Sequence, residues 1–83
     1  MKKDGIEVKI GNSAFYFKLG NLLDEKNISK NKLGQDTGTD YKVVTRYING
    51  ESERLDLIVL ERLCNYLDCE LTDIIELKRN VFK

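Results

Sequence analysis

Apolar positions divide the chain into segments of two different periods. Ile6, Val8 and Ile10 recur at every second residue, the spacing of one side of an extended strand. A loose tail over residues 1–13 is the close alternative. Gly11-Asn12 marks a turn, and the aromatic run AFYF at 14–17 suits a second extended segment. The period then changes. Leu19, Leu22 and Leu23 fall three to four residues apart, as along one side of a helix, and Lys26-Asn27 closes that run. Ser29 is placed to cap the next helix with its hydroxyl, and Leu33 anchors that helix inward. Gly34 lies inside it, at a cost of about 1 kcal/mol relative to alanine, so another backbone is expected to approach closely there. Gly38 ends this helix in the left-handed conformation that glycine adopts cheaply.

Two residues later Asp40 suits the positive end of a new helix. That helix, 41–49, turns Val44, Tyr47 and Ile48 inward and stops at Asn49-Gly50. After the polar loop ESER, Asp56 caps the strongest stripe in the chain: Leu57, Leu60, Leu63, Cys64 and Leu67. Thr72 is expected to cap a last short helix carrying Ile74 and Ile75, after which ELKRNVFK runs extended. No internal repeat, linker or low-complexity segment interrupts residues 1–83, which predicts a single domain.

Composition narrows the chemistry. With 83 residues, 41% of them hydrophobic, the chain has the means for one core. It contains no histidine, which removes every nucleophile-histidine pair and every histidine metal site. Cys64 and Cys69 lack two further ligands for a metal, and a disulfide between them would distort a helix end. They read as small buried hydrophobes in a reduced compartment. Carboxylate pairs fall on solvated helix faces, so no catalysis is expected, nor any cofactor, metal or small-molecule ligand. No run of about 18 apolar residues is present, and no signal sequence. The expected location is cytoplasmic and off the membrane. The formal net charge is zero, but its distribution is uneven. Residues 26–54 carry six cations against four acids, and residues 55–83 carry four against six. The middle of the chain is mildly basic.

The two short helices around Gly38 have the spacing of a helix-turn-helix unit over residues 29–50. Such a unit needs a small residue where the second helix crosses the first, a glycine in the turn, and a branched apolar residue further on to lock the pair. Gly34, Gly38 and Val44 supply these at intervals of four and six. Residues 28–50, ISKNKLGQDTGTDYKVVTRYING, resemble the DNA-binding unit of the lambda-repressor and Cro family, the XRE-type regulators. LDLIVLERLCNYLDCELTDIIEL at 55–77 is similar to the small single-domain members of that family. The resemblance covers roughly residues 15–77. It implies an all-α, five-helix lambda-repressor-like fold, with a short N-terminal strand or hairpin that can pair with the C-terminal segment. AFYF and ELKR are the candidate partners. The chain departs from the family pattern in three places. Gly34 stands where alanine is usual, Thr39 where an apolar residue is usual, and Ile48 where a polar one is usual.

The resemblance further implies that helix 41–49 enters the major groove of double-stranded DNA. Tyr41, Lys42, Thr45 and Arg46 take the base-contact positions, with Arg46 and Lys42 able to address guanine. Lys30 takes the phosphate position at the start of the first helix, with Asn31, Lys32 and Asn49 as further backbone contacts. Blander readings stand beside these. Lys30 and Lys32 are also ordinary solvated charges, Tyr41 is able to pack on its own helix, and Arg46 to pair with Asp36 or Glu53. The expected protein is a transcriptional regulator of the repressor type, a homodimer on a palindromic operator, from a bacterium, phage or mobile element. The alternative is a protein-interaction module, antitoxin- or antirepressor-like, that keeps the helix-turn-helix scaffold without DNA.

Overall fold

Side-chain caps set most of the helix starts, and left-handed residues set their ends. The structure, a computed structural model, describes residues 5–52 and 54–82. Two strands lead the chain, β1 (Ile6–Ile10) and β2 (Ser13–Phe17), followed by α1 (Leu19–Lys26), α2 (Lys30–Thr37), α3 (Tyr41–Asn49) and α4 (Leu57–Leu67). A single 3-10 turn at Leu71–Asp73 leads into β3 (Ile75–Lys78). Ser29 Oγ accepts from the Lys32 amide at 3.1 Å to start α2, and Asp40 Oδ1 accepts from the Lys42 amide at 2.8 Å to start α3. Asp56 Oδ1 accepts from Ile58 N at 2.9 Å at the head of α4. Each acceptor satisfies an amide that has no partner within its helix. Asn27, Gly38, Gly50 and Asp68 then end the four helices in the left-handed region.

The all-α, five-helix expectation is overturned: among the described residues there are four α-helices and a three-stranded antiparallel sheet. The expected fifth helix is only the turn at Leu71–Asp73. Its cap is Glu70 rather than Thr72, with Glu70 N donating to Asp73 Oδ2 at 2.9 Å. Beyond Ile74 the backbone extends, because its polar groups find partners in β2, where Phe17 faces Ile75 and Ala14 faces Lys78. A ladder to an existing strand satisfies those groups where one isolated helical turn would leave most of them open. The order is β1-β2-β3, so β1 and β3 are both edges. Residues 1–4 of the expected N-terminal tail, and Lys83 at the other end, lie outside the described residues.

Leu19, Leu23, Leu33, Val44, Tyr47, Leu60, Leu63, Leu67 and Ile74 form the core. Ile48, Cys64 and Cys69 pack against it, which accounts for the apolar residue at 48 as additional core. Both cysteines are free; burial pushes the Cys69 thiol up to about 11, with Cys64 beside it adding to the shift. The sheet has one apolar side. Cross-strand partners share a side, so Ile6, Val8, Phe15, Phe17, Ile75 and Leu77 line one, while Glu7, Lys9, Tyr16, Glu76 and Lys78 line the other. The apolar side rests against the end of α3: a Cβ at Gly50 would lie 3.0 Å from Val8 Cγ2 and 3.1 Å from Ile6 Cγ2. No helix among the described residues is long and apolar enough to cross a membrane.

Candidate nucleic-acid interface

Three residues fix how α3 is held. Val44 is fully buried and Tyr47 is 2% exposed, so these two positions turn into the core and their opposites turn out. The Tyr47 hydroxyl accepts from the Asp56 amide at 2.9 Å, tying α3 to the head of α4. Gly34 in α2 faces the turn itself, since a Cβ there would lie 3.0 Å from the Thr39 carbonyl oxygen. The close backbone approach is therefore that of the turn leading into α3. Gly38, at φ +67° with open space around it, is needed for its backbone conformation alone. Thr39 replaces an apolar residue at little cost because its hydroxyl, though buried, lies 2.8 Å from that of Thr37. Thr37 in turn donates to the Leu33 carbonyl at 2.6 Å.

With α3 held in this way, Tyr41, Lys42 and Arg46 are exposed. Lys42 and Arg46 have no ion pair among the described residues, and Glu53, one of the two acids considered for Arg46, lies outside them. Lys30 and Asn31 are exposed at the start of α2. Lys30 Nζ stands 5.6 Å from the Tyr41 ring centroid, a cation-π distance. The starts of α2 and α3 thus meet at one edge, where the exposed Tyr41 ring has a lysine beside it.

Other expected contacts are placed less openly. Lys32 Nζ pairs with Asp36 Oδ2 at 2.9 Å, and the Tyr66 hydroxyl donates to the same carboxylate oxygen. Those two hydrogen bonds, Tyr66 first, hold the Asp36 carboxyl below its usual range, while the Asp36 hydrogen bond raises Lys32. Asp36 is therefore spoken for, and Arg46 is not its partner. Asn49 donates to Glu51 Oε1 at 3.4 Å. Thr45 is half-buried, and its Oγ1 is closed to solvent without a hydrogen-bond partner. The Lys32–Asp36 pair was readable as oppositely charged residues four apart on a helix; Tyr66, thirty residues away, left no such signal.

Two short helices across a glycine turn, with an exposed cationic edge on the second, define a helix-turn-helix DNA-binding domain. The chain belongs to the family of Cro/C1-type helix-turn-helix DNA-binding domains, whose family model matches residues 18–80. Among solved structures it is similar to the crystal structure of the transcriptional regulator VanUg, form II, at TM-score 0.65 and 27% identity. That match covers 87% of this chain and 95% of the other. A search of the curated proteins finds no match.

Proposed function

We propose that the protein is a sequence-specific transcriptional regulator that reads the major groove with the start of α3, binding a palindromic operator as a homodimer and acting as a repressor. The observation that carries this is the exposed α3 edge of Tyr41, Lys42 and Arg46. Its two cations have no partner among the described residues, whereas Lys18 and Lys32 are each paired with an acid. In this reading Arg46 and Lys42 address base edges and Tyr41 stacks or donates beside them. Lys30 and Asn31 hold a phosphate at the start of α2, where unpaired amides favour an anion. Lys32 and Asn49 are backbone contacts of a second kind, already tethered within the chain. Thr45 contributes by its methyl group or after its hydroxyl turns outward. One such domain presents a small surface, and two on half-sites about 34 Å apart raise both affinity and specificity.

The test is selection of bound duplexes from a random pool, followed by fluorescence anisotropy on the recovered site. Arg46→Ala is expected to weaken binding by about 1–3 kcal/mol and to relax preference at one base position. Lys30→Ala is expected to weaken all sequences alike and to lower the salt slope by about one. Failure to enrich any sequence, together with no binding to random duplex at low salt, refutes the reading in favour of a protein-interaction module.

A further inference from the structure

We propose that β1 is the dimer interface: two copies pair their β1 strands antiparallel about a two-fold axis at Val8, joining two three-stranded sheets into one of six strands. This rests on the homodimer reading and specifies its surface. The strand is IEVKI, flanked by Gly5 and Gly11, both at positive φ. Among the described residues its backbone is open on the outer side. Lys18 N donates to Ile74 O at 2.7 Å and Phe82 N to Asn12 O at 3.1 Å, so the even-numbered residues of this segment direct their polar backbone groups toward the β3 side. The odd-numbered Ser13, Phe15 and Phe17 then face β1, where their partners are Ile10, Val8 and Ile6. Alternation along the ladder leaves the amides and carbonyls of Glu7 and Lys9 pointing away from the sheet. That is an unpaired edge, which folded proteins ordinarily cover or blunt.

The sequence of the strand says what covers it. Laid antiparallel on itself about Val8, it sets Val8 against Val8 of the second copy, Ile6 against Ile10, and Glu7 against Lys9. Every apolar residue meets an apolar residue, and both charged pairs are of opposite sign, the favourable combinations for cross-strand neighbours. The backbone agrees with this register. Glu7 and Lys9, whose polar groups point outward, fall opposite each other and exchange two hydrogen bonds, twice over. Val8, whose groups are used by β2, falls on the axis as a pair that needs none. The other edge matches itself less well: β3 centred on Leu77 would also set Glu76 against Lys78, but it would set Ile75 against Arg79. The pairing also extends the apolar side of the sheet across the axis. Ile6 and Ile10 are 46% and 56% exposed in the single chain, and a groove of about 570 Å³ opens beside them between Val8, Ile10, Phe15 and Leu55. The adjoining strand of the second copy brings its own Ile10, Val8 and Ile6 to that row. On the polar side Glu7 accepts from the Tyr16 hydroxyl at 2.7 Å and retains a second oxygen for lysine, while Lys9 Nζ, 4.8 Å from the Phe82 ring centroid in the single chain, turns from that ring to reach it.

The test uses the full chain, its folding checked by thermal melting. Sedimentation equilibrium of the wild type should show a dimer. Glu7→Lys and Lys9→Glu, which place like charges opposite each other, should each weaken dimerisation roughly tenfold or more. The double variant Glu7→Lys/Lys9→Glu should restore it. In a Cys64→Ser/Cys69→Ser background, Val8→Cys should form an intermolecular disulfide under mild oxidation. Ile6→Cys should not, because its like positions are four residues out of register. A wild-type dimer indifferent to both single charge changes overturns the β1 interface and leaves the homodimer standing. A chain that is monomeric both free and on its selected DNA overturns both. DNA anisotropy of the wild type reports separately on whether the chain binds DNA at all.

Discussion

Replacing Tyr47 with phenylalanine isolates the link between α3 and the head of α4. The ring is 2% exposed and remains in the variant, so almost no apolar area and no packing volume are lost. What disappears is the acceptor for the Asp56 amide, 2.9 Å away. That amide lies just before α4, in a partly buried position where water replaces the lost hydroxyl only in part. A hydrogen bond of this kind is worth about 0.5–1.5 kcal/mol net. For a domain of this size 1 kcal/mol corresponds to roughly 4–8 °C in Tm. Tyr47→Phe is therefore expected to melt about 2–12 °C below wild type by circular dichroism, with a matching fall in urea midpoint at unchanged slope. DNA affinity well below the melting range should stay the same, because the hydroxyl is turned toward α4 and away from the Tyr41–Arg46 edge. Tyr47→Ala is a harsher comparison: at about 3–5 kcal/mol it would remove much of the roughly 4–12 kcal/mol available to a chain of this length. A Tyr47→Phe variant that melts within about 1 °C of wild type refutes the reasoning, and the ring alone then holds α3.

Three further outcomes follow from the same geometry. Gly38→Ala should cost about 1–2 kcal/mol for the left-handed backbone alone, and Gly50→Ala should cost more. Both have positive φ, but only at Gly50 does the new Cβ meet Val8 and Ile6 at 3.0 and 3.1 Å; chemical denaturation gives the order. Thr45→Val keeps the shape and removes the hydroxyl that is buried without a partner, so the free protein should be as stable as wild type or up to about 1 kcal/mol more stable. Lower affinity for the selected operator in that same variant would assign the hydroxyl to DNA. The acid and alkaline limbs of stability should report two different groups. Asp36 has a lowered pKa in the folded state, so its contribution is present above the ordinary carboxylate range and is lost as pH falls through and below it. Tyr66→Phe should move the Asp36 titration back up, as followed by NMR. Cys69 has a raised pKa, from 9.0 to about 11, so its contribution is present below about pH 9 and is lost as pH rises toward 11; Cys69→Ala should flatten that limb.

The features legible in the sequence are those decided within three or four residues. Ser29, Asp40 and Asp56 cap helices because the acceptor and the unpaired amide are neighbours along the chain. Gly38 and Gly50 end them for equally local reasons. The apolar spacing of Val44 and Tyr47 likewise fixed which side of α3 turns inward. The segment after Cys69 obeys a different rule. Asp73, Ile74 and Ile75 carry a pattern that suits a helical turn, and Glu70 with Asp73 does close one. Whether the next residue continues it depends on β2, far earlier in the chain, and the pairing of AFYF with ELKR was suggested by the family resemblance and not by the segment's own pattern. The same division runs through the candidate interface. Spacing placed Thr45 and the family resemblance placed Lys32, but neither gave their surroundings, and partners decide what a polar side chain has left to offer. Lys32 is engaged by Asp36, and behind it by Tyr66 on α4, whereas Lys42 and Arg46 meet no acid among the described residues. In β1 the order reverses. Its alternation was weak evidence for a strand in isolation, since a tail reads much the same. Once the sheet leaves that strand at an edge, the same five residues carry a second pattern, the matching of IEVKI to its own reverse. Selection for a strand in a single chain requires only the apolar alternation. β3 carries the same charge symmetry about Leu77, so what marks β1 is that symmetry together with Ile6 and Ile10 matched across Val8, as an antiparallel partner of the same sequence would require.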